Sequence, residues 1–87
     1  MSYTIRYEPE ALEALANLPT QIQARIVKKV DWLVENFDNI NPLGLTRDLA
    51  EFYKLRIGDY RAIYELSDNG DEIIILRLGH RRDIYDR

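Results

Sequence analysis

The stretch FYKLRIGDYRAIYELSDNGDEIIILRLG, residues 52–79, decides the fold. Three runs rich in β-branched and aromatic residues are separated by two short segments that contain glycine beside Asp or Asn, a combination typical of β-hairpins. The stretch therefore predicts three consecutive antiparallel strands over residues 52–57, 60–66 and 72–79.

The first hairpin has a well-defined register. A two-residue turn at Gly58-Asp59 predicts that Arg56 lies opposite Arg61 on the neighbouring strand. One face of this hairpin is then apolar and is expected to face the core, whereas the other face is basic. The apolar face comprises Tyr53, Leu55, Ile57, Tyr60, Ala62, Tyr64 and Leu66, and the basic face comprises Lys54, Arg56 and Arg61.

The second hairpin allows two registers. A two-residue turn would pair Leu66 with Ile73 and direct Arg77 into the core, whereas a three-residue turn would pair Leu66 with Glu72 and Arg61 with Arg77. Because an unpaired arginine is costly to bury, the second register is the preferred prediction.

In that register Arg56, Arg61 and Arg77 form a row across three strands. Like charges opposite each other destabilise a sheet. The row therefore indicates a polyanionic ligand, since arginine makes bidentate contacts with phosphate. The alternative is an ordinary solvated strand face, neutralised by Glu65 and nearby acids.

The first half of the chain predicts a strand and two helices. Residues 3–7 alternate between apolar and polar, as in a half-buried strand. Pro9 suits the first turn of a helix. Thr20 is the predicted N-cap of a longer helix over residues 21–37, which carries an apolar stripe at helical spacing. Residues 38–48 are predicted to form a loop.

These elements predict an α+β fold of the order β-α-α-β-β-β, in which a helical hairpin packs on a small, mainly antiparallel sheet. The 87 residues, of which 46% are hydrophobic, suit one domain spanning residues 1–87. The chain has no cysteine and a single histidine, His80, so no metal site or other cofactor is expected. No apolar run is long enough for a membrane span or a signal peptide, so a cytoplasmic protein is expected.

The formal net charge of −3 argues by itself against nucleic-acid binding. Its distribution is more informative, because the acidic excess lies mainly in residues 8–51. From residue 54 onward basic side chains recur at close spacing: Lys54, Arg56, Arg61, Arg77, Arg81, Arg82 and Arg87.

Three ordered segments, FYKLR (52–56), YRAIY (60–64) and GHRRDIY (79–85), resemble the C-terminal half of RelE toxins, and YEPEAL (7–12) is similar to their start. The combination favours RelE over the related ParE toxins, which share the fold but bind gyrase. The resemblance implies a toxin of a type II toxin–antitoxin system that cleaves mRNA in the ribosomal A site. The 2′-OH of the mRNA would attack the adjacent phosphate, and no metal is required. The implied partners are a RelB-like antitoxin and the 70S ribosome with its mRNA and rRNA; no membrane is involved, and DNA is contacted only through the antitoxin.

The resemblance also implies roles for five residues. Arg61 would stabilise the charge of the phosphorane, and Arg81 would share that role or assist the leaving oxygen. Tyr85 would stack on a base or take part in proton transfer, or else pack against a hydrophobic edge. Lys54 would bind phosphate or act as an acid or base. Arg56 departs from the family pattern, in which a lysine can stand, so it is expected to stabilise charge only.

Further residues are expected around this set. Arg47, Arg77 and Arg82 are candidate RNA contacts. His80 is a candidate general base at neutral pH, although the preferred register points its side chain toward the core face. Trp32 is interpreted as a core residue or an antitoxin contact rather than a residue that stacks on nucleic acid. Two other functions stay open: a ParE-like toxin that inhibits gyrase, and an inactive toxin fold that serves as a corepressor with its antitoxin.

Overall fold

A computed structural model describes residues 3–40, 52–67 and 70–84. The elements follow in the predicted order: β1 (Thr4–Tyr7), α1 (Pro9–Ala16), α2 (Thr20–Ile40), β2 (Tyr53–Ile57), β3 (Tyr60–Leu66) and β4 (Glu72–His80). The predicted α+β fold is confirmed, with two helices on a four-stranded sheet. Residues 38–40 belong to α2 rather than to the predicted loop, and the rest of that loop lies outside the described residues.

The strand order in the sheet is β1-β4-β3-β2. The strands β2, β3 and β4 form the predicted antiparallel meander, and β1 pairs in parallel with β4. A parallel neighbour needs a long connection, which the two helices provide. The arrangement leaves β2 at one edge of the sheet.

Both helix starts depend on a proline. Pro9 occupies the first turn of α1, where its missing N–H costs nothing. The carbonyl of Pro19 accepts the first hydrogen bond of α2, from the N–H of Gln23 at 2.9 Å. Thr20 is thus the first helical residue, and its prediction as the N-cap is wrong by one position.

The core lies between the helices and one face of the sheet. The apolar face predicted for the first hairpin is confirmed, because Leu55, Ile57, Ala62 and Tyr64 are buried there. The buried residues that pack together as one hydrophobic cluster are Ala11, Leu15, Ile26, Val30, Leu33, Phe37, Leu55, Ile57, Ala62, Tyr64, Ile73, Ile75 and Leu78. Within the described residues, no helix is both long and apolar enough to cross a membrane.

Aromatic rings line one end of this core. The ring of Phe37 lies between those of Tyr3 and Tyr64, with centroids 5.0 and 6.3 Å away in edge-on orientations. Tyr64 also stacks on Tyr53, at 5.3 Å between centroids. Burial, together with the neighbouring Tyr53, raises the pKa of Tyr64 to about 12.

The register of the first hairpin is as predicted. Ile57 pairs with Tyr60, and Arg56 lies directly opposite Arg61. Gly58 has a φ of +58°, the left-handed backbone conformation that a two-residue hairpin turn requires at its first position.

The preferred register of the second hairpin is wrong. Leu66 pairs with Ile73 rather than with Glu72. The N–H of Ser67 donates to the carbonyl of Glu72 at 2.9 Å, so the connection contains four residues instead of three. Gly70 still adopts the expected positive φ, at +77°.

A β-bulge after Ile63 then changes the register again. The extra residue lies in β4, so Arg77 is opposite Ile63, and Arg61 is opposite Gly79. The predicted row of three arginines is therefore wrong, since glycine occupies its third position. The bulge nevertheless keeps Arg77 out of the core, which satisfies the energetic argument that had favoured the other register.

Candidate active site

The basic face is the side of the meander that points away from the core. Residues directly opposite each other on neighbouring strands have Cβ atoms about 4.5–5.5 Å apart. In the structure the basic face extends onto β4 and consists of two such cross-strand rows, Arg56–Arg61–Gly79 and Lys54–Ile63–Arg77. It thus brings the four predicted basic residues of these rows together around the apolar side chain of Ile63 and around Gly79.

Arg61 is held in place by the hairpin turn. Its Nη1 donates to the carbonyl oxygens of Gly58 and Tyr60, each at 2.9 Å. Nε and Nη2 have no partner among the described residues. These contacts fix the direction of the half-buried side chain and leave one edge of the guanidinium available for an anion. Sequence reasoning missed the two carbonyls, although the Gly-Asp turn was visible.

The same turn positions Arg81. The N–H of Arg81 donates to the carbonyl of Asp59 at 2.7 Å, which joins the end of β4 to the β2–β3 turn. The chain then folds over Gly79, where a Cβ atom would be in van der Waals contact with Cγ1 of Ile84 at 3.4 Å. Neither Gly79 nor Ile84 was predicted to have a structural role here.

His80 faces the core side, as expected. Its ring packs against Tyr60 with centroids 5.3 Å apart. Its Nδ1 accepts a hydrogen bond from the N–H of Arg82 at 3.2 Å. His80 thus helps to shape the turn after β4, from which the exposed side chains of Arg81 and Arg82 project.

Arg77 differs from Arg56 and Arg61 because it has a carboxylate partner among the described residues. Its Nε lies 3.8 Å from Oε2 of Glu10 at the start of α1. Both side chains are exposed, so this ion pair contributes little stability. No local sequence pattern predicts this contact, because it depends on how α1 packs against β4.

Two predicted site residues, Arg47 and Tyr85, lie outside the described residues. Their predicted roles stay predictions. Lys54 and Arg56 are exposed on β2.

The comparisons with known proteins agree on one family. A profile described as "ParE toxin of type II toxin-antitoxin system, parDE" matches residues 5–85. The chain is 37% identical over 89 residues to the toxin RelG of Mycobacterium tuberculosis, and the match covers 100% of both chains. The chain belongs to the RelE/ParE family of type II toxins. The toxin is also 35% identical over 72 residues to RelE3 of Methanocaldococcus jannaschii, covering 75% of this chain and 80% of that protein.

Structural comparison gives the same result. The toxin resembles a chain of the toxin–antitoxin complex RelBE2 from Mycobacterium tuberculosis, with a TM-score of 0.72 and 32% identity. The match covers 93% of this chain and 100% of the other. The resemblance to RelE toxins predicted from the three sequence segments is thereby confirmed.

Proposed function

We propose that the toxin is a ribosome-dependent endoribonuclease that cleaves mRNA in the A site. In this reaction the 2′-oxygen of the mRNA attacks the adjacent phosphorus, and the bond from phosphorus to the 5′-oxygen breaks. The products are a 2′,3′-cyclic phosphate and a free 5′-hydroxyl. The protein has to stabilise charge on the phosphorane, accept the proton of the 2′-OH and supply a proton to the 5′-oxygen, and in this proposal it does so without a metal ion.

The observation that carries the proposal is the arrangement of Arg61. Its guanidinium is oriented by two carbonyls, and it lies directly opposite Arg56. Neither arginine has a carboxylate partner in the described part of the chain. Two adjacent, uncompensated cations destabilise a sheet by themselves. Their arrangement suits an anion with several oxygen atoms, and a phosphorane carries the charge that such donors stabilise.

The remaining groups divide the other steps. Arg81 shares the stabilisation of charge or assists the leaving 5′-oxygen. Lys54 binds phosphate or transfers a proton, and Tyr85 stacks on a base or transfers a proton. Arg56 contributes charge only, because a guanidinium does not readily release a proton.

Basic residues around this set would hold the RNA. Arg82 projects from the turn after β4 and is proposed to contact rRNA, as is Arg47. Arg77 is available to RNA only if its exposed ion pair with Glu10 opens, which costs little at a solvated surface.

The second partner in the proposal is a RelB-like antitoxin. The structural neighbour from Mycobacterium tuberculosis is a chain of the toxin–antitoxin complex RelBE2. An antitoxin that folds on binding can cover the basic face and so keep mRNA away from it. Contact with DNA would then be indirect, through the antitoxin.

One observation favours a different activity. The family profile that matches residues 5–85 is described as a ParE toxin, so inhibition of gyrase is the second candidate. Loss of activity, with retention of a corepressor role, is the third. Both of these functions predict that Arg61 and Arg81 are dispensable.

The decisive experiment adds antitoxin-free toxin to ribosomes stalled with a defined codon in the A site and maps mRNA ends by primer extension. We expect cleavage within the A-site codon, and a loss of at least about 100-fold in rate for Arg61→Ala, by analogy with removal of a donor to an oxyanion. Arg6→Ala is the matched control, because Arg6 is an exposed arginine on β1. Its ion-pair partners are Glu8, which follows β1, and Glu72, the first residue of β4. Intact mRNA in the presence of excess folded toxin would refute the proposal, and inhibition of gyrase supercoiling would then establish the second candidate.

A further inference from the structure

A second cationic region lies between α2 and β2, the strand at one end of the strand order. The region is a cleft of about 420 Å³. Its lining consists of Arg25, Lys28, Lys29, Trp32, Arg56, Ile57 and Gly58. Four of these residues are basic and none is acidic, although the whole chain carries a net charge of −3. We call this region the α2–β2 cleft.

Two contacts shape the cleft. The guanidinium of Arg25 reaches across from α2 to the hairpin turn, where its Nη2 lies 2.9 Å from the position that a Cβ atom at Gly58 would take. Nζ of Lys29 lies 4.0 Å from the centroid of the Trp32 ring, within the range of a cation–π interaction.

Three of the four cations in the cleft have no acidic partner among residues 3–40, 52–67 and 70–84. Arg25, Lys28 and Arg56 make no ion pair with any residue that the structure describes. Arg25 and Lys28 are three positions apart on one helix, a spacing at which like charges repel. The cost of this arrangement is offset when a polyanion binds.

Trp32 adds an aromatic surface to these cations. Of the two predicted roles of Trp32, a place in the core is wrong, because 39% of the residue is exposed, and a contact with the antitoxin stays a prediction. A large exposed aromatic side chain beside basic groups is the combination with which proteins bind single-stranded nucleic acid, through stacking on bases and contacts with the backbone.

We propose that the α2–β2 cleft binds single-stranded RNA, with phosphates on Arg25, Lys28 and Arg56 and a base stacked on Trp32. RNA is favoured over an acidic peptide because Arg56 belongs to both surfaces: it lines the cleft and lies directly opposite Arg61 on the basic face. One polyanionic strand can therefore follow both surfaces without a break. The choice of RNA rests on the proposed contact of the basic face with mRNA, whereas binding in the cleft does not require cleavage.

The toxin contains a single tryptophan, so its intrinsic fluorescence reports directly on the cleft. The experiment titrates the free toxin, without ribosomes, with an RNA oligonucleotide of about ten nucleotides, within the site sizes known for single-stranded binding. We expect saturable quenching of Trp32 whose affinity falls as salt is raised. Because no cleavage is measured, failure of the nuclease proposal would leave this result unaffected.

Two single substitutions provide the comparison. Lys28→Gln should weaken the affinity several-fold and reduce the slope of log Kd against log salt by about 0.7, the value for one lost phosphate contact with a single strand. Arg6→Gln removes an exposed charge from β1, at the opposite edge of the sheet from β2, and should change the affinity by less than about twofold because that charge is largely screened from the cleft. Equal effects of the two substitutions would overturn the proposal, because they would indicate binding without a defined site.

A polyglutamate peptide of the same charge as the oligonucleotide tests the other class of ligand. The cleft as proposed gives no saturable quenching with it. Quenching by the peptide together with none by RNA would overturn the assignment to RNA and identify the cleft as a docking site for an acidic protein segment.

Discussion

At the residue scale, Tyr64 shows how position in the core alters the chemistry of one side chain. Burial and the stacked ring of Tyr53 raise its pKa from 10.0 to about 12. Between these two values the unfolded chain loses the phenolic proton while the folded protein keeps it. The contribution of the protonated Tyr64 phenol to the free energy of unfolding is therefore fully present below pH 10. It is lost as the pH rises toward 12, which lowers that free energy by about 2 to 3 kcal/mol.

The measurement is urea unfolding at several pH values between 9 and 11.5. The control is Tyr64→Phe, which keeps the ring and removes the phenol, and which should lose less stability over the same interval. The same dependence on pH in both proteins would contradict the prediction. Strand alternation was sufficient to predict that Tyr64 faces the core, whereas its pKa depends on a ring from another strand and a helix packed above it.

Arg61 shows the same limit at the proposed active site. The two-residue turn predicted correctly that it lies opposite Arg56. The sequence did not predict that the side chain folds back onto the carbonyls of Gly58 and Tyr60, because a rotamer is chosen by the atoms around it.

At the element scale, the two hairpin turns offer a matched pair of glycines. Gly58 and Gly70 both have positive φ, at +58° and +77°. Alanine at either position should lower the free energy of unfolding by about 1 to 2 kcal/mol, the cost of a left-handed backbone for a residue with a Cβ atom. Only Gly58→Ala should also displace Arg25, because a Cβ at Gly70 meets nothing within 4 Å.

Urea unfolding of both variants, in the wild-type and the Arg25→Ala background, separates the two contributions. Any extra loss in Gly58→Ala should disappear once Arg25 is truncated, whereas Gly70→Ala should be insensitive to the background. A Gly58→Ala protein as stable as the wild type would show that the turn does not need its left-handed glycine.

The hairpins also show why one register was predictable and the other was not. Gly58-Asp59 is flanked closely by strand residues, so it allows one turn length and one pairing. The segment around Gly70 allows several turn lengths. The bulge after Ile63 shifts the register by one residue, so the observed turn length does not direct Arg77 into the core. The rule that Arg77 avoids the core was correct, but a bulge satisfied it as well as a shifted turn would have.

At the scale of the whole molecule, the net charge of −3 conceals how unevenly the charged side chains are distributed. Residues 8–51 carry eight acidic and four basic residues, yet α2 contributes three of those basic residues, Arg25, Lys28 and Lys29, to a cleft with no acidic residue among its described lining. Sequence reasoning missed the α2–β2 cleft because its two sides are separated by more than twenty positions in the chain. It found the basic face because its cations lie on strands that are consecutive.

A substitution far from the cleft tests whether local arrangement or total charge controls RNA binding. Asp71 lies at the end of β3 opposite to Gly58, and the seven residues of β3 span about 20 Å. The Debye length at physiological salt is about 8 Å, so a charge at Asp71 is largely screened from the cleft. Asp71→Lys adds two positive charges, which changes the net charge from −3 to −1, and should alter the affinity for the oligonucleotide by less than about twofold.

The affinity is measured by the quenching of Trp32 fluorescence at 0.15 M salt. It is compared with the affinity of Lys28→Gln, a substitution that makes the net charge more negative by one. The backbone of residue 71 keeps its carbonyl contact with the N–H of Thr4 in the variant, so the fold should be preserved. If Asp71→Lys tightened binding as much as Lys28→Gln weakened it, the total charge would govern the interaction. If only Lys28→Gln had an effect, the cations of the cleft would act through their positions, and an acidic protein would be able to hold RNA wherever its fold gathers enough of them.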